Sequence, residues 1–286
     1  MERGAARQKP LQVHEAGDDA EWRRCHWNTQ KFLEPLRWIG KPISPIFFVF
    51  GVFTCLFRVD WLHAVDKGVG QDFLGNLFAL FVQVLPGATK KERTQVLWKH
   101  IQAYYKEYHI KEQMSDFDYS KIQSEKKVPP TLKTHAAAHT RALINFGHLE
   151  AQELLSDDVP HHLAAKTAAR ALRQCYQCLS KTCGPFRDQV FRESSKTFAL
   201  YYHALFMYYG GNVKWRVMPK MHLFLELCNE GSEPNLFWCY RDEDFGGSVA
   251  KSSKMRGMWK KLTSFCGHGL DMFFMKNDPP RLIVSC

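Results

Sequence analysis

At 286 residues the chain is long enough for one substantial core with room for an inserted subdomain. Hydrophobic residues at 45% and aromatic residues at 14% exclude wholesale disorder. Thirty-nine Lys and Arg against 29 Asp and Glu leave a formal charge of +10, which favours polyanionic partners, nucleic acid before an acidic membrane surface.

Residues 1–22 are polar, charged and without periodicity, and read as a flexible arm. Met1 to Leu11 contains no apolar stretch of the kind that directs secretion. Trp27, Phe32, Leu33 and Leu36 space out a short helix before Pro42 and Pro45. Ile46 to Phe57 then carries five Phe, two Val and no charge, and reads as a buried strand that leads to Asp60. Its 12 residues fall short of the roughly 20 that a membrane span needs. Val69, Phe73, Leu77, Phe78, Phe81, Val84 and Leu85 recur at helical steps, and Pro86-Gly87 stops that helix.

From Thr89 to about Asn212 no strand-like alternation occurs, and helical windows follow one another. They cover Glu92–Tyr108, Met114–Lys126 with the poorest pattern, Thr131–Glu153 beyond Pro129-Pro130, Pro160–Leu179, and Gln189–Tyr209. Phe198, Tyr201, Tyr202, Leu205 and Tyr208 form an aromatic stripe, a pattern that belongs to a core face. Gly210-Gly211-Asn212 is a helix stop, and Lys214–Met218 reads as a short extended segment. Met221–Cys228 fits a helix or a strand equally, and helix is expected again from Glu243 onward.

Nine cysteines without a secretion signal indicate reduced thiols inside a cell. Cys175, Cys178 and Cys183 suggest zinc, with His161-His162 folding back. Their setting in continuous helix former favours a packed helix face instead.

Two segments carry chemistry. The first runs from Phe57 through Asp60, His63 and Asp66 to Gly68-Val69, placing acids and a histidine directly behind the apolar run. A carboxylate there is held rigidly yet reaches solvent, which suits metal-assisted phosphoryl chemistry. The same residue type also caps a helix that begins at Trp61. The second spans Met218 to Cys228, with Lys220 and His222, and continues to Trp238-Cys239-Tyr240-Arg241-Asp242-Glu243-Asp244. Three consecutive acids favour a helix start, and the aromatic residues around them anchor the segment to a core.

Together the two segments resemble the eukaryotic transposase superfamily with a ribonuclease-H-like, retroviral-integrase-like catalytic domain. Asp60, His63, Gly68 and Val69 match its Asp-x-x-His segment. Lys220 and His222 match its Lys-x-His segment, and Trp238, Cys239, Arg241 and Glu243 its aromatic-Cys-x-Arg-x-Glu-like segment. The resemblance implies DNA strand cleavage and transfer with Mg²⁺ or Mn²⁺ held by carboxylates, Asp60 the second and Glu243 the third, with Asp242 and Asp244 as alternatives in register. His63 and His222 would position phosphate beside that site. The family's first carboxylate belongs on an upstream strand, and none of the acids before Asp60 follows an apolar run. The expected protein is therefore the C-terminal part of such a domain, or a degenerate copy.

The expected fold is α+β and predominantly helical, a partial ribonuclease-H-like core with a large all-helical insertion. Residues 1–22 form the arm, 23–88 the first part of the core, 89–212 the insertion, 213–270 the second part, and 271–286 a tail. Lys251, Lys254, Arg256, Lys260 and Lys261 make a basic run with Met255, Met258 and Trp259 interleaved, suited to a phosphate backbone or to a solvated helix face. DNA is the expected partner through non-specific phosphate contacts, with no membrane partner. A homo-oligomer is compatible with this reading, and a nuclear location is implied. The alternative is a non-catalytic, basic helical interaction protein whose acids are surface caps. A His/Cys hydrolase using Cys55 or Cys239 with His63 has no nucleophile motif behind it.

Overall fold

A computed structural model describes residues 29–40, 42–50, 52–53, 57–122, 128–134, 136–210, 213–240 and 247. Two compact units divide at Phe237 and Trp238. In the second, the rings of Trp238 and Tyr240 meet edge to face at 4.9 Å.

Seven α-helices occur among the described residues of the first unit: α1 Thr29–Trp38, α2 Gly70–Val84, α3 Lys90–Glu107, α4 Ala137–Leu154, α5 Pro160–Leu179, α6 Asp188–Tyr208 and α7 Pro219–Asn229. No strand is assigned among the described residues. The predominantly helical expectation stands, and the α/β core is not supported in this part of the chain.

The core is built around α2. Every residue from Phe73 to Val82 is buried, so this stretch, apolar but for Asn76, is enclosed on all sides. It packs against α3 and α4. Gly147 lets α4 approach closely, since a Cβ there would meet the Leu74 and Leu77 side chains at 3.0 and 3.1 Å. A capping box at Thr89 and Glu92 starts α3, each residue satisfying a backbone N–H of the other. The pair α5 and α6 packs along its length, and α7 closes on α6.

A continuous aromatic seam ties these helices together. Phe73 meets Phe198 at 5.3 Å and Trp215 at 5.9 Å, Phe198 meets Phe224 at 5.5 Å, and Trp61 meets Phe191 at 5.7 Å. Phe73–Phe198 and Phe198–Phe224 are edge to face, a geometry that adds to their area burial. The aromatic stripe of α6 is core through Phe198, Tyr202 and Leu205, whereas Tyr208 is exposed.

Three expectations are corrected. In its described residues Ile46 to Phe57 is not a buried strand: Pro45–Phe48 forms a 3₁₀ turn, and Ile46, Phe48, Val49, Phe50, Phe53 and Phe57 are exposed. Pro45 removes a ladder donor and fixes φ, which favours the turn. Phe47 packs between Phe32 and Phe57 instead of against a sheet. Met114–Lys126 is no helix in its described part, because Asp118 turns onto the Ser120 amide and hydroxyl and starts a single 3₁₀ turn. Helix α4 begins at Ala137 rather than Thr131. The strip before it lies extended against α2, with Leu132 donating its N–H to the Gln71 carbonyl. Gly75 makes room for that strip, as a Cβ there would sit 2.3 Å from the Thr131 Cα.

Candidate functional site

A kinked helical segment precedes α2. Trp61 is helical, Leu62–Val69 winds with wide i→i+5 turns, and Lys67 and Gly68 depart from helical dihedrals. Such wide turns recur at functional sites. Asp60 stands at its start. One Asp60 carboxylate oxygen accepts the His63 backbone N–H at 2.9 Å and lies 2.7 Å from His63 Nδ1. The first of these is N-capping geometry. The second holds the half-exposed imidazole in one orientation, with Nε2 as its remaining ring nitrogen.

The first motif segment and the Lys220–His222 part of the second, about 150 residues apart in sequence, are packed side by side. Helix α7 lies along the Arg58–Val69 segment and is fastened at both ends. Arg58 pairs with Glu230 at 2.9 Å, and Lys220 Nζ donates to the Lys67 carbonyl. Trp61 and Phe224 fill the space between, 6.1 Å apart and edge to face. The fastening at Lys220 requires a glycine, because a Cβ on Gly68 would lie 2.4 Å from Lys220 Cδ. The two chains of contacts run antiparallel, so Lys220 sits at the Lys67–Gly68 kink while Glu230 faces the Arg58 end. His222 lies one turn into α7, its Nε2 3.8 Å from the Glu226 carboxylate. Asp242, Glu243 and Asp244 lie outside the described residues, as do Lys251, Lys254, Arg256, Lys260 and Lys261.

Two further acids join the site that the sequence reading did not select. Asp66 is wholly buried, accepts the Tyr176 hydroxyl from α5, and lies 3.6 Å from the Arg141 guanidinium of α4. A buried carboxylate demands such partners, since leaving it unpaired would cost several kcal/mol. Asp72, in the first turn of α2, has its pKa raised by burial, against the opposing pull of a Thr131 hydrogen bond and the Lys220 charge. The signal for Asp66 was present: it falls four residues after Leu62 and three before Val69, on the apolar face of the segment.

Among the described cysteines, Cys175, Cys178 and Cys228 are packed thiols, whereas Cys183 is exposed. Cys175 and Cys228 are wholly buried, and burial pushes the Cys175 thiol far up. Among the described residues, no helix is long and apolar enough to cross a membrane. Comparison with protein-family models, with curated proteins and with solved structures found no match.

Proposed function

We propose that this chain is a transposase-derived DNA-binding protein, a partial or degenerate relative of metal-dependent strand-transferases. The observation that carries the reading is the packing of the Arg58–Val69 segment along α7. It joins the two motif segments through Lys220 and Gly68, both of them residues of the resemblance. The net charge of +10 supports a polyanionic partner. Phosphate contacts fall to Lys251, Lys254, Arg256, Lys260 and Lys261, with His63 and His222 positioning phosphate near the motif segments. The nucleus is the compartment that follows.

Neutralising phosphates releases counterions, so affinity for a duplex should fall steeply with salt, by about 0.9 log unit per log salt for each phosphate contacted. Changing Lys254, Arg256, Lys260 and Lys261 to Ala is expected to weaken binding to any duplex and flatten that slope by up to about four units. Sequence preference should hardly change, because phosphate contacts carry no base information. A filter-binding salt titration of both proteins measures this. A wild type without salt-dependent DNA affinity at low salt would remove the nucleic-acid assignment.

Strand-transfer chemistry further requires Mg²⁺ or Mn²⁺. Asp60 offers a carboxylate, a hard oxygen donor of the kind these ions prefer, and Glu243 is a second of the same type. Such an ion would polarise a phosphoryl oxygen and lower the pKa of a bound water. Calorimetry with Mn²⁺ should show binding that is lost when Asp60 and Glu243 are both changed to Ala. Equal binding by wild type and double variant would sink the metal site.

The second reading, a non-catalytic basic helical interaction protein, is favoured by one observation: Asp60 already has a structural duty as the cap of the Trp61 helix. Under that reading DNA affinity persists or fails without any response to Mn²⁺.

A further inference from the structure

A second cationic surface stands apart from the motif segments, where the start of α3, the start of α5 and the end of α6 come together. Lys214 Nζ lies over the Tyr209 ring, 5.2 Å from its centroid, and Lys90 Nζ lies 4.5 Å over that of Tyr119. His161, in the first turn of α5, stacks on Tyr208 with centroids 4.5 Å apart and planes 19° from parallel. The same imidazole meets Tyr209 edge-on at 5.9 Å. Tyr208 is 58% exposed despite closing the aromatic stripe of α6.

The charges here are not balanced from within. Neither Lys90 nor Lys214 forms an ion pair with a described residue. Desolvation lowers the Lys214 pKa and the nearby Lys90 charge lowers it further. His161 is lowered by desolvation, then by His162 and Lys214. Asp118, beside Tyr119, is committed to the Ser120 hydroxyl and amide. Lys90 and Lys214, neither of them ion-paired with a described residue, repel each other in the free protein, and an anion relieves that repulsion. Cations interleaved with exposed aromatic faces match a single-stranded nucleic acid, whose phosphates alternate with bases that stack. A duplex keeps its base faces inside and gains nothing from an exposed ring.

We infer that the surface formed by Lys90, Lys214, His161, Tyr208 and Tyr209 binds single-stranded nucleic acid, with the two ammonium groups on phosphates and a base against the exposed Tyr208 ring. This rests on the nucleic-acid reading above but assigns a separate surface and a strand state to it.

Fluorescence anisotropy with a labelled oligo-dT of about 15 nucleotides, and with a duplex of equal length, separates the cases. Changing Lys90 and Lys214 to Ala should weaken oligo-dT binding and flatten its salt slope by about 1.4, two phosphates at about 0.7 each. Tyr208→Leu should weaken oligo-dT by about tenfold while duplex affinity holds, because one stacking platform is lost. All three side chains are at least partly exposed, and a native circular-dichroism melt establishes folding; Lys90→Ala alone, at an exposed position, serves should a variant melt early. Oligo-dT binding unchanged in the folded variants overturns the inference. Duplex binding by the wild type without oligo-dT binding overturns it too, and leaves the DNA reading standing. Binding to neither removes both.

Discussion

Replacing Asn76 by Ala is expected to destabilise the first unit by about 3 kcal/mol, seen as a lower denaturant midpoint with an unchanged slope. This amide is buried in α2 and connects three parts of the chain. Its nitrogen donates to the Pro130 carbonyl at 3.0 Å and to the Asp72 carbonyl at 2.8 Å, and its oxygen accepts the Trp215 N–H at 2.7 Å. Truncation leaves the Trp215 N–H and the Pro130 carbonyl without partners, each costing about 1–3 kcal/mol when buried. Trp215 adds to the effect. It holds φ at +57°, a left-handed conformation that non-glycine residues rarely take, and its side chain is 1% exposed. The Asn76 bond fixes that conformation, and the chain leaving Trp215 leads within a few residues to α7. A loosened Trp215 should therefore also loosen Lys220 on the Lys67 carbonyl. Asn76→Asp is the sharper variant, since it keeps an acceptor for Trp215 but cannot donate to Pro130. A loss below about 1 kcal/mol for Asn76→Ala would mean that water satisfies both groups and that the clamp is not structural.

How far the sequence could be read depended on whether one segment's pattern had one physical solution. For α2 it did: apolar residues at every helical step, ended by Pro86-Gly87, allow little besides an enclosed helix. The boundaries of α5 and α6 were equally plain, with Pro160 opening one and Gly184-Pro185 separating them. Ile46–Phe57 had no unique solution. A short apolar run is compatible with a buried strand or with aromatic residues left at the surface, and strand formation depends on neighbours that the run cannot specify. Thr131–Lys133 was missed for the opposite reason: its helix-friendly residues are held extended by contacts with α2 across Gly75, a tertiary effect. In the site, the two motif segments were legible as separate signals, and the antiparallel packing that fastens them was not. Asp66 was legible only through its spacing from Leu62 and Val69, since an acid's residue type alone does not distinguish a wholly buried carboxylate from the part-exposed Asp60.

Asp66 gives the second large effect. Asp66→Ala should cost the first unit about 3–4 kcal/mol, because it removes the acceptor of the Tyr176 hydroxyl and the acid beside Arg141 in a fully buried setting. Tyr176→Phe should cost less, about 1–2 kcal/mol, since Arg141 still faces the carboxylate. Arg141→Ala falls between, its guanidinium being partly open to water in the native protein. The discriminating variant is Asp66→Asn, which keeps the volume and an acceptor oxygen for Tyr176 but removes the charge that Arg141 answers. If the carboxylate is a structural counter-ion alone, Asp66→Asn loses stability and leaves Mn²⁺ calorimetry and DNA affinity as they were. If the acid also takes part in the chemistry of the neighbouring Asp60–His63 turn, the same variant loses the Mn²⁺ response out of proportion to its stability. Chemical denaturation and calorimetry on one preparation answer both questions. The first outcome assigns the wide helical turn to fastening α7, and the second makes it part of the working site.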